Sequence, residues 1–422
     1  MIYLPNKRYL RFNIMRNKNS DLLSGLLNMA EGMLVTGSEV SRVEDTIARM
    51  GRAYGAKHMN VFVITSCIIV TMEMADGEEM TQTRRINRPI GTDFEKLERF
   101  NELSRCCCAG EIPAEQLEDK VREIEHTRPR RLITWSGSLL AAGGFAVFFG
   151  GSLIDGIVAA LFAILIWWLQ EKLLPISMNQ LSFNLICSAI IGILTGICTG
   201  FLPVLHLDKI LIGYIMLLIP GITLTNAVRN VLVGKTISGL MRLVEALLWA
   251  AGLALGFMIA MFVIDIPYDL VNAISPTIPV QLITAGIGSL GFSLMFNVRK
   301  QLLPEAVLGG ILDWGVYLLA SEFFGGNVFL SSVAAAAFAT IYAETMARIK
   351  KAPATVFYIP TVVPLIPGGS LFYTMSYAVL SEWNMVQSYG ASTLYCALGI
   401  AAGMSMVLSI AHTARRIELF HK

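Results

Sequence analysis

Up to about residue 131, apolar positions alternate with charges at helix or strand spacing; beyond it they run on almost unbroken to about residue 411. In the first stretch, Leu22, Leu23, Leu26, Leu27, Ala30 and Leu34 share one stripe, so residues 21–36 are expected to be a helix. A second helix is expected from Ser38 to about Gly55, with Val43, Ile47 and Met50 on its apolar face. Its cap is either Ser41, three residues before Glu44, or Ser38. Residues 59–65, 68–74 and 80–86 are rich in β-branched side chains, and Asp76-Gly77 is a turn signal, so three strands are expected. Helices over residues 93–109 and 114–126, the latter opened by Pro113, complete a small α+β unit.

The second stretch predicts ten membrane-crossing helices, each needing about 20 apolar residues. They fall near residues 132–151, 153–170, 179–202, 209–228 and 240–264. After a polar gap holding Asp265 and Asp269 come 280–298, 302–322, 328–347, 354–380 and 394–414. Two of these runs are interrupted. Leu218-Ile219-Pro220-Gly221-Ile222-Thr223 breaks the fourth, and Leu365-Ile366-Pro367-Gly368-Gly369-Ser370 breaks the ninth. Pro removes a donor and clashes with the preceding turn, costing about 3 kcal/mol in a helix interior, and Gly adds roughly 1 kcal/mol. Backbone freed at membrane depth is tolerated only inside protein or against a wet cavity. Paired interruptions at matching places therefore point to a substrate site; packing kinks are the alternative.

Pro220 and Pro367 lie 147 residues apart, and the same offset carries the first five runs onto the second five. This predicts a 5+5 repeat. An odd number of crossings inverts the second unit, the plan of many secondary transporters. The expected fold class is a mainly α membrane protein, ten transmembrane helices as a 5+5 inverted repeat behind a small α+β cytoplasmic domain. The divisions are a basic tail over 1–20, the α+β domain over 21–131, and transmembrane repeats over 132–270 and 271–422.

Charge sharpens this picture. The chain is 55% hydrophobic with 15% charged residues and a net charge of +2, against about 25% charged in an average protein. Nothing here recommends a nucleic-acid partner. With the α+β domain inside, Lys and Arg gather on the inner flanks, from Arg128 and Lys172 through Arg299 and Lys300 to Arg415 and Arg416. The outer side holds Lys209 alone among cations, with Asp208, Asp265, Asp269, Glu322 and Glu382. By the positive-inside rule both termini are expected in the cytoplasm. The N-terminal Lys7, Arg8, Arg11, Arg16 and Lys18 precede no long apolar region, so no signal peptide is read there.

Candidate chemistry is sparse. The seven cysteines include Cys106-Cys107-Cys108 but no Cys-x-x-Cys pair, so they read as reduced thiols, with no metal and no cofactor. No phosphate loop, nucleophile elbow or His-Glu-x-x-His occurs, which argues against an enzyme. Asp313 lies near the middle of the seventh run, where a charge costs about 2.5–3.5 kcal/mol and must face protein or water. It is either a proton carrier or a neutral acid that ties helices together. Glu245 and Glu344 lie nearer segment ends. Asn184, Asn226 and Asn297 can bind substrate or join helices, and Trp167 and Trp168 suit an interfacial belt. In the first stretch Arg84, Arg85 and Arg88 read as a solvated basic face.

Three stretches then carry a family likeness. Gly37-Ser38-x-x-x-Arg42-Val43-Glu44-x-x-Ile47, the Asp76-Gly77 hairpin followed by Thr83-Arg84, and Leu218-Ile219-Pro220-Gly221-x-x-Leu224-x-Asn226-Ala227 resemble the threonine/serine exporter family. Gly291-Phe292-x-x-x-Phe296-Asn297-Val298 and Pro364-x-x-Pro367-Gly368-x-Ser370 resemble that family's smaller partner domain. The likeness covers about residues 25–411. In some relatives the halves are separate proteins described as dicarboxylate (succinate) exporters; here they are joined. The resemblance implies a plasma- or inner-membrane exporter of small polar metabolites using the proton gradient.

The expected substrate site comprises Pro220, Gly221, Thr223, Asn226, Pro367, Gly368, Gly369, Ser370 and Tyr373, with Asp313 carrying the proton and Asn184 and Asn297 as secondary candidates. Half-helix N-termini there favour a carboxylate, so the substrate is a serine/threonine-type amino acid or a dicarboxylate. The expected partners are that solute, a proton and the lipid bilayer, and a homo-oligomer stays open. The rival reading is a membrane-anchored sensor whose cytoplasmic head binds a ligand or protein.

Overall fold

The computed structural model describes residues 7–88, 90–127, 130–174, 176–177, 179–232, 234–264 and 276–420, with backbone alone for 7–17, Ile222 and 411–420. Asp265 and Asp269 of the expected polar gap, and Arg128, lie outside the described residues. The chain divides into two compact units, Met1–Pro129 and Arg130–Lys422.

In the first unit α1 (Lys7–Val35), α2 (Val40–Ala53), β1 (Ala56–Ile64), β2 (Cys67–Met74), β3 (Glu79–Arg85), α3 (Phe94–Cys108) and α4 (Ala114–Glu125) follow in order. The strands form an antiparallel meander, β1-β2-β3. Its hairpin is set by Gly77, whose φ of 84° suits glycine, and by the Glu78 amide donating to Asp76 Oδ1 at 3.0 Å. Alternation along β2 buries Ile68, Val70 and Met72, which meet Leu23, Leu26 and Leu27 of α1 and Phe100 of α3. Burying each such side chain contributes about 1.5–3 kcal/mol.

Three expectations for this unit are corrected. The first helix starts at Lys7, inside the expected tail. The cap of α2 is Glu39, and neither Ser38 nor Ser41 performs it. The reason is the end of α1: Gly37 at φ 98° turns the chain, and the Ser38 amide donates back to the Met33 carbonyl at 3.0 Å. The Arg84–Arg88 cluster is also no simple solvated face. Glu31, only 7% exposed, receives Arg88 Nε at 3.0 Å and Arg84 Nη1 at 3.4 Å. Arg85 and Arg88 both stay exposed, Arg88 while reaching back to Glu31. Glu44 accepts from the Val63 amide at 3.1 Å, tying α2 to β1.

The second unit is helical throughout its described residues: α5 (Arg131–Phe148), α6 (Leu153–Lys172), α7 (Gln180–Phe201), α8 (Leu207–Ile215), α9 (Gly221–Leu232), α10 (Thr236–Ile264), α11 (Ile278–Met295), α12 (Leu303–Phe323), α13 (Val328–Lys350), α14 (Ala354–Val362), α15 (Gly368–Val379) and α16 (Trp383–Phe420). Among the described residues, eight helices are long and apolar enough to cross a membrane, or nine if the bent pair α14 and α15 counts as one. The expected fourth run is instead divided into α8 and α9, of 9 and 12 residues, each too short to cross alone.

Packing in the two halves corresponds. Helix α7 lies on α10 as α13 lies on α16, α5 on α6 as α11 on α12, and α9 on α10 as α15 on α16. Helices α5 and α11 cross each other through small residues. A side chain at Gly137 would reach the Gly291 carbonyl at 2.6 Å, and one at Gly291 the Gly137 carbonyl at 2.7 Å. Such backbone-to-backbone approach is how helices associate where water does not drive them together.

Candidate functional site

The two Pro-Gly stretches are broken as their sequences demand. Pro220 has no amide to offer the turn before it, so α8 ends at Ile215 and residues 216–220 leave the helix. Helix α9 restarts at Gly221, with the Leu224 amide donating to the Pro220 carbonyl at 2.8 Å. In the second half Pro360, Pro364 and Pro367 fall within eight residues. Helix α14 tightens into a 3-10 turn at Val363–Leu365, and α15 leaves from Gly368 at a bend of 47°.

These breaks are seated against each other. A side chain at Gly221 would overlap Ile366, and one at Gly368 would overlap the Met216 sulfur. Each glycine of one break is thus pressed by the non-helical segment of the other. A residue with a Cβ at either place would have to displace that facing side chain. Pro220, Gly221 and the whole of 361–369 are buried. Thr223 and Asn226, three residues apart on α9, are half-buried, as are Ser370 and Tyr373 on α15. A side chain at Gly369 would meet the Phe149 ring at 2.6 Å.

Ser370 and Tyr373 extend the crossing into a polar patch. Thr393 Oγ1 of α16 donates to Ser370 Oγ at 3.0 Å. Tyr373 stacks near Tyr389 at 5.1 Å between centroids, and Tyr389 on Tyr377 at 5.5 Å. Lys209, expected as an outer-loop cation, lies instead inside α8 and is 2% exposed. Its Nζ is 2.7 Å from Asp208 Oδ2 and donates to Tyr373 Oη at 3.2 Å. Tyr373 in turn donates to Asp208 at 3.4 Å. This ammonium and carboxylate, both withdrawn from water, satisfy each other, and they match the two ends of a zwitterion once they part. Sequence reasoning missed this pair because hydropathy put it at a segment edge; the one signal was a Lys next to an Asp opening an otherwise apolar run.

The remaining candidates go elsewhere. Asp313 is fully buried on α12, which packs along α14 and its 3-10 turn, and neither carboxyl oxygen has a hydrogen-bond partner among the described residues. Asn184 is fully buried and hydrogen-bonded at both ends, accepting from Gln180 at 3.0 Å and donating to the Trp249 carbonyl at 3.3 Å, which joins α7 to α10. Asn297 stands at φ 55° in the turn after α11 and accepts from Thr134 at 3.4 Å. Another buried acid, Asp155, caps α6 and holds the loop before α8 through the His206 amide and Nδ1, both at 2.9 Å.

Such a chain, with many apolar helices and two of them broken and crossed at their breaks, is by construction a multi-pass membrane protein built to handle a solute. It belongs to the threonine/serine exporter family. The family's exporter models match residues 25–264 and 281–410. The "Probable threonine/serine exporter" of Mycobacterium tuberculosis is 24% identical over 415 residues, covering 93% of this chain and 78% of that one. The "Threonine/serine exporter" of Corynebacterium glutamicum is 23% identical, covering 94% and 85%. A "Probable succinate transporter subunit" of Klebsiella aerogenes is 25% identical over 235 residues, covering 54% of this chain and 88% of that one. No solved structure matches the chain.

Proposed function

We propose that this protein is a secondary active exporter of small zwitterionic amino acids of the serine/threonine class, bound where the two broken helices cross. The observation that carries this reading is the reciprocal seating of Gly221 against Ile366 and Gly368 against Met216. Two half-helices, α9 and α15, begin there, and their N-terminal amides favour a carboxylate. Thr223, Asn226, Ser370 and Tyr373 supply hydroxyl and amide partners. The matched packing of the halves supports a 5+5 inverted repeat in which α8 with α9 counts as the fourth crossing and α14 with α15 as the ninth. Alternating access then rocks one half against the other about the fixed crossing. The charge distribution supports both termini in the cytoplasm and a plasma- or inner-membrane location. Asp313, an acid without a partner among the described residues, on a helix packed along the second break, is the coupling group for the ion gradient.

A dicarboxylate substrate is the competing reading, given the name of the Klebsiella aerogenes relative. The Asp208–Lys209 pair favours the zwitterion, because Asp208 repels the second carboxylate of a dianion. The decisive experiment loads vesicles with serine, threonine or succinate and follows efflux. Gly221→Leu or Gly368→Leu in a folded protein is expected to stop efflux, and undiminished efflux would sink the site. Asp208→Asn is expected to weaken serine efflux relative to succinate; succinate efflux by the unaltered protein with none of serine refutes the amino-acid reading.

A further inference from the structure

The turn of α12 before Asp313 receives oxygens from two other helices. On α12 the glycines Gly309 and Gly310 precede it by four and three residues. Setting Gly309 at 0° around the helix axis, Gly310 lies at about 100° and Asp313 at about 40°, between them. Helical side chains lean toward the N-terminus over the preceding turn. The Asp313 carboxylate therefore lies over the two positions that carry no side chain. Two hydroxyls arrive at those positions. A side chain at Gly309 would overlap Thr361 Oγ1 of α14, and one at Gly310 would overlap Ser289 Oγ of α11. The Gly310 position also faces the Pro360 carbonyl at 3.5 Å. That carbonyl has lost its helical donor, because Pro364 stands four residues on and has no amide hydrogen.

Asp313, Ser289 and Thr361 are each fully buried. Both Asp313 oxygens and both hydroxyls lack a hydrogen-bond partner among the described residues. A neutral carboxyl would donate its proton to one of these neighbours, and none is hydrogen-bonded to it. Oxygens brought to the same turn of one helix yet not bonded to each other are suited to serve as cation ligands, which sit roughly 2.3–2.6 Å from an ion of calcium size. The C-terminal end of α14, at Val362, adds its partial negative charge. Cys396 of α16, the titratable neighbour, is already satisfied, donating to the Leu365 carbonyl at 3.2 Å. One carboxylate balances one positive charge, and a divalent ion would be left with an uncompensated charge in a dry interior.

We infer that Asp313, Ser289, Thr361 and the Pro360 carbonyl form a binding site for a small monovalent cation, sodium by size. Its role as the coupling ion rests on the exporter reading above; the binding itself does not. The glycine pair makes room for the hydroxyls, and the prolines of the second break free the carbonyl. Filling the site fixes α11, α12 and α14 to one another beside the crossing.

The test uses the full chain purified in detergent, unfolded thermally in sodium chloride and in choline chloride at equal ionic strength. Sodium is expected to raise the transition by about 5 °C in a saturable way. Asp313→Asn should abolish that difference, and Ser289→Ala should raise the half-saturating sodium concentration about tenfold. Should Asp313→Asn fail to fold, Ser289→Ala and Thr361→Ala carry the test, together with retention of radiolabelled sodium by the unaltered protein. Equal transitions in both salts, with no sodium retained, overturn the inference while leaving efflux through the crossing intact. Sodium retained by a protein that moves no amino acid upholds the site and refutes the exporter reading.

Discussion

Glu31 of the first unit and Asp313 of the second are both acids withdrawn from water, and their surroundings are opposite. Glu31 is held by Arg88 and Arg84, whose own ends reach solvent. Asp313 has no partner at all among the described residues. The contrast extends beyond the pair. Among the described residues, one buried hydroxyl of the first unit, Ser38, lacks a partner, while in the second Trp135, Thr225, Ser289, Asp313 and Thr361 all have such atoms. An unsatisfied buried polar group costs about 1–3 kcal/mol, more for a charge. The membrane unit keeps several of them, with Thr225 and Thr361 next to its helix breaks, whereas the first unit pairs its charges to build itself. Asp208 stands between the cases: buried like Asp313, but paired with Lys209.

Replacing Asp313 by Asn puts the sharpest pressure on this comparison. Coupled efflux should be lost almost entirely, with thermal stability in sodium-free buffer unchanged or raised, since no native partner is orphaned. A large drop in stability there would make Asp313 a structural acid like Glu31. Lys209→Ala should cost about 3–5 kcal/mol, because it leaves Asp208 buried and unpaired; denaturant titration of the detergent-solubilised protein measures it. Glu31→Ala should cost roughly 2 kcal/mol, less because Arg84 and Arg88 can turn to water. Faster hydrogen exchange in α1 and β3, with efflux unchanged, is the expected signature.

The smallest effect concerns Asp93, which caps α3 by accepting from the Lys96 amide at 3.2 Å. Burial raises its carboxyl above the ordinary value. The folded state therefore binds this proton more tightly than the unfolded state. Its contribution is full at low pH and fades as pH rises through the raised value. Asp93→Asn keeps the cap and should slightly stabilise the first unit at neutral pH, with no difference in acid. A gain that persists in acid would contradict the assignment.

What local pattern controls could be read from the chain itself. Strand alternation, the Asp76-Gly77 turn and the long apolar runs depend on residues a few positions apart; the first two reappear in the structure, and eight of the runs do so as helices long enough to cross a membrane. The two breaks were legible for the same reason, since Pro followed by Gly weakens a helix wherever the chain goes, although Pro360 is carried inside α14. Local pattern also misled where two signals competed, as when the turn closing α1 at Gly37 and Ser38 set the cap of α2 at Glu39. Nothing along the chain could show that Gly221 meets Ile366 and Gly368 meets Met216, that Lys209 is drawn inside to Tyr373, or that Ser289 and Thr361 converge on the turn before Asp313. Those are meetings of residues 21 to 164 positions apart, and only the packing of one helix on another, which no window of sequence contains, decides them.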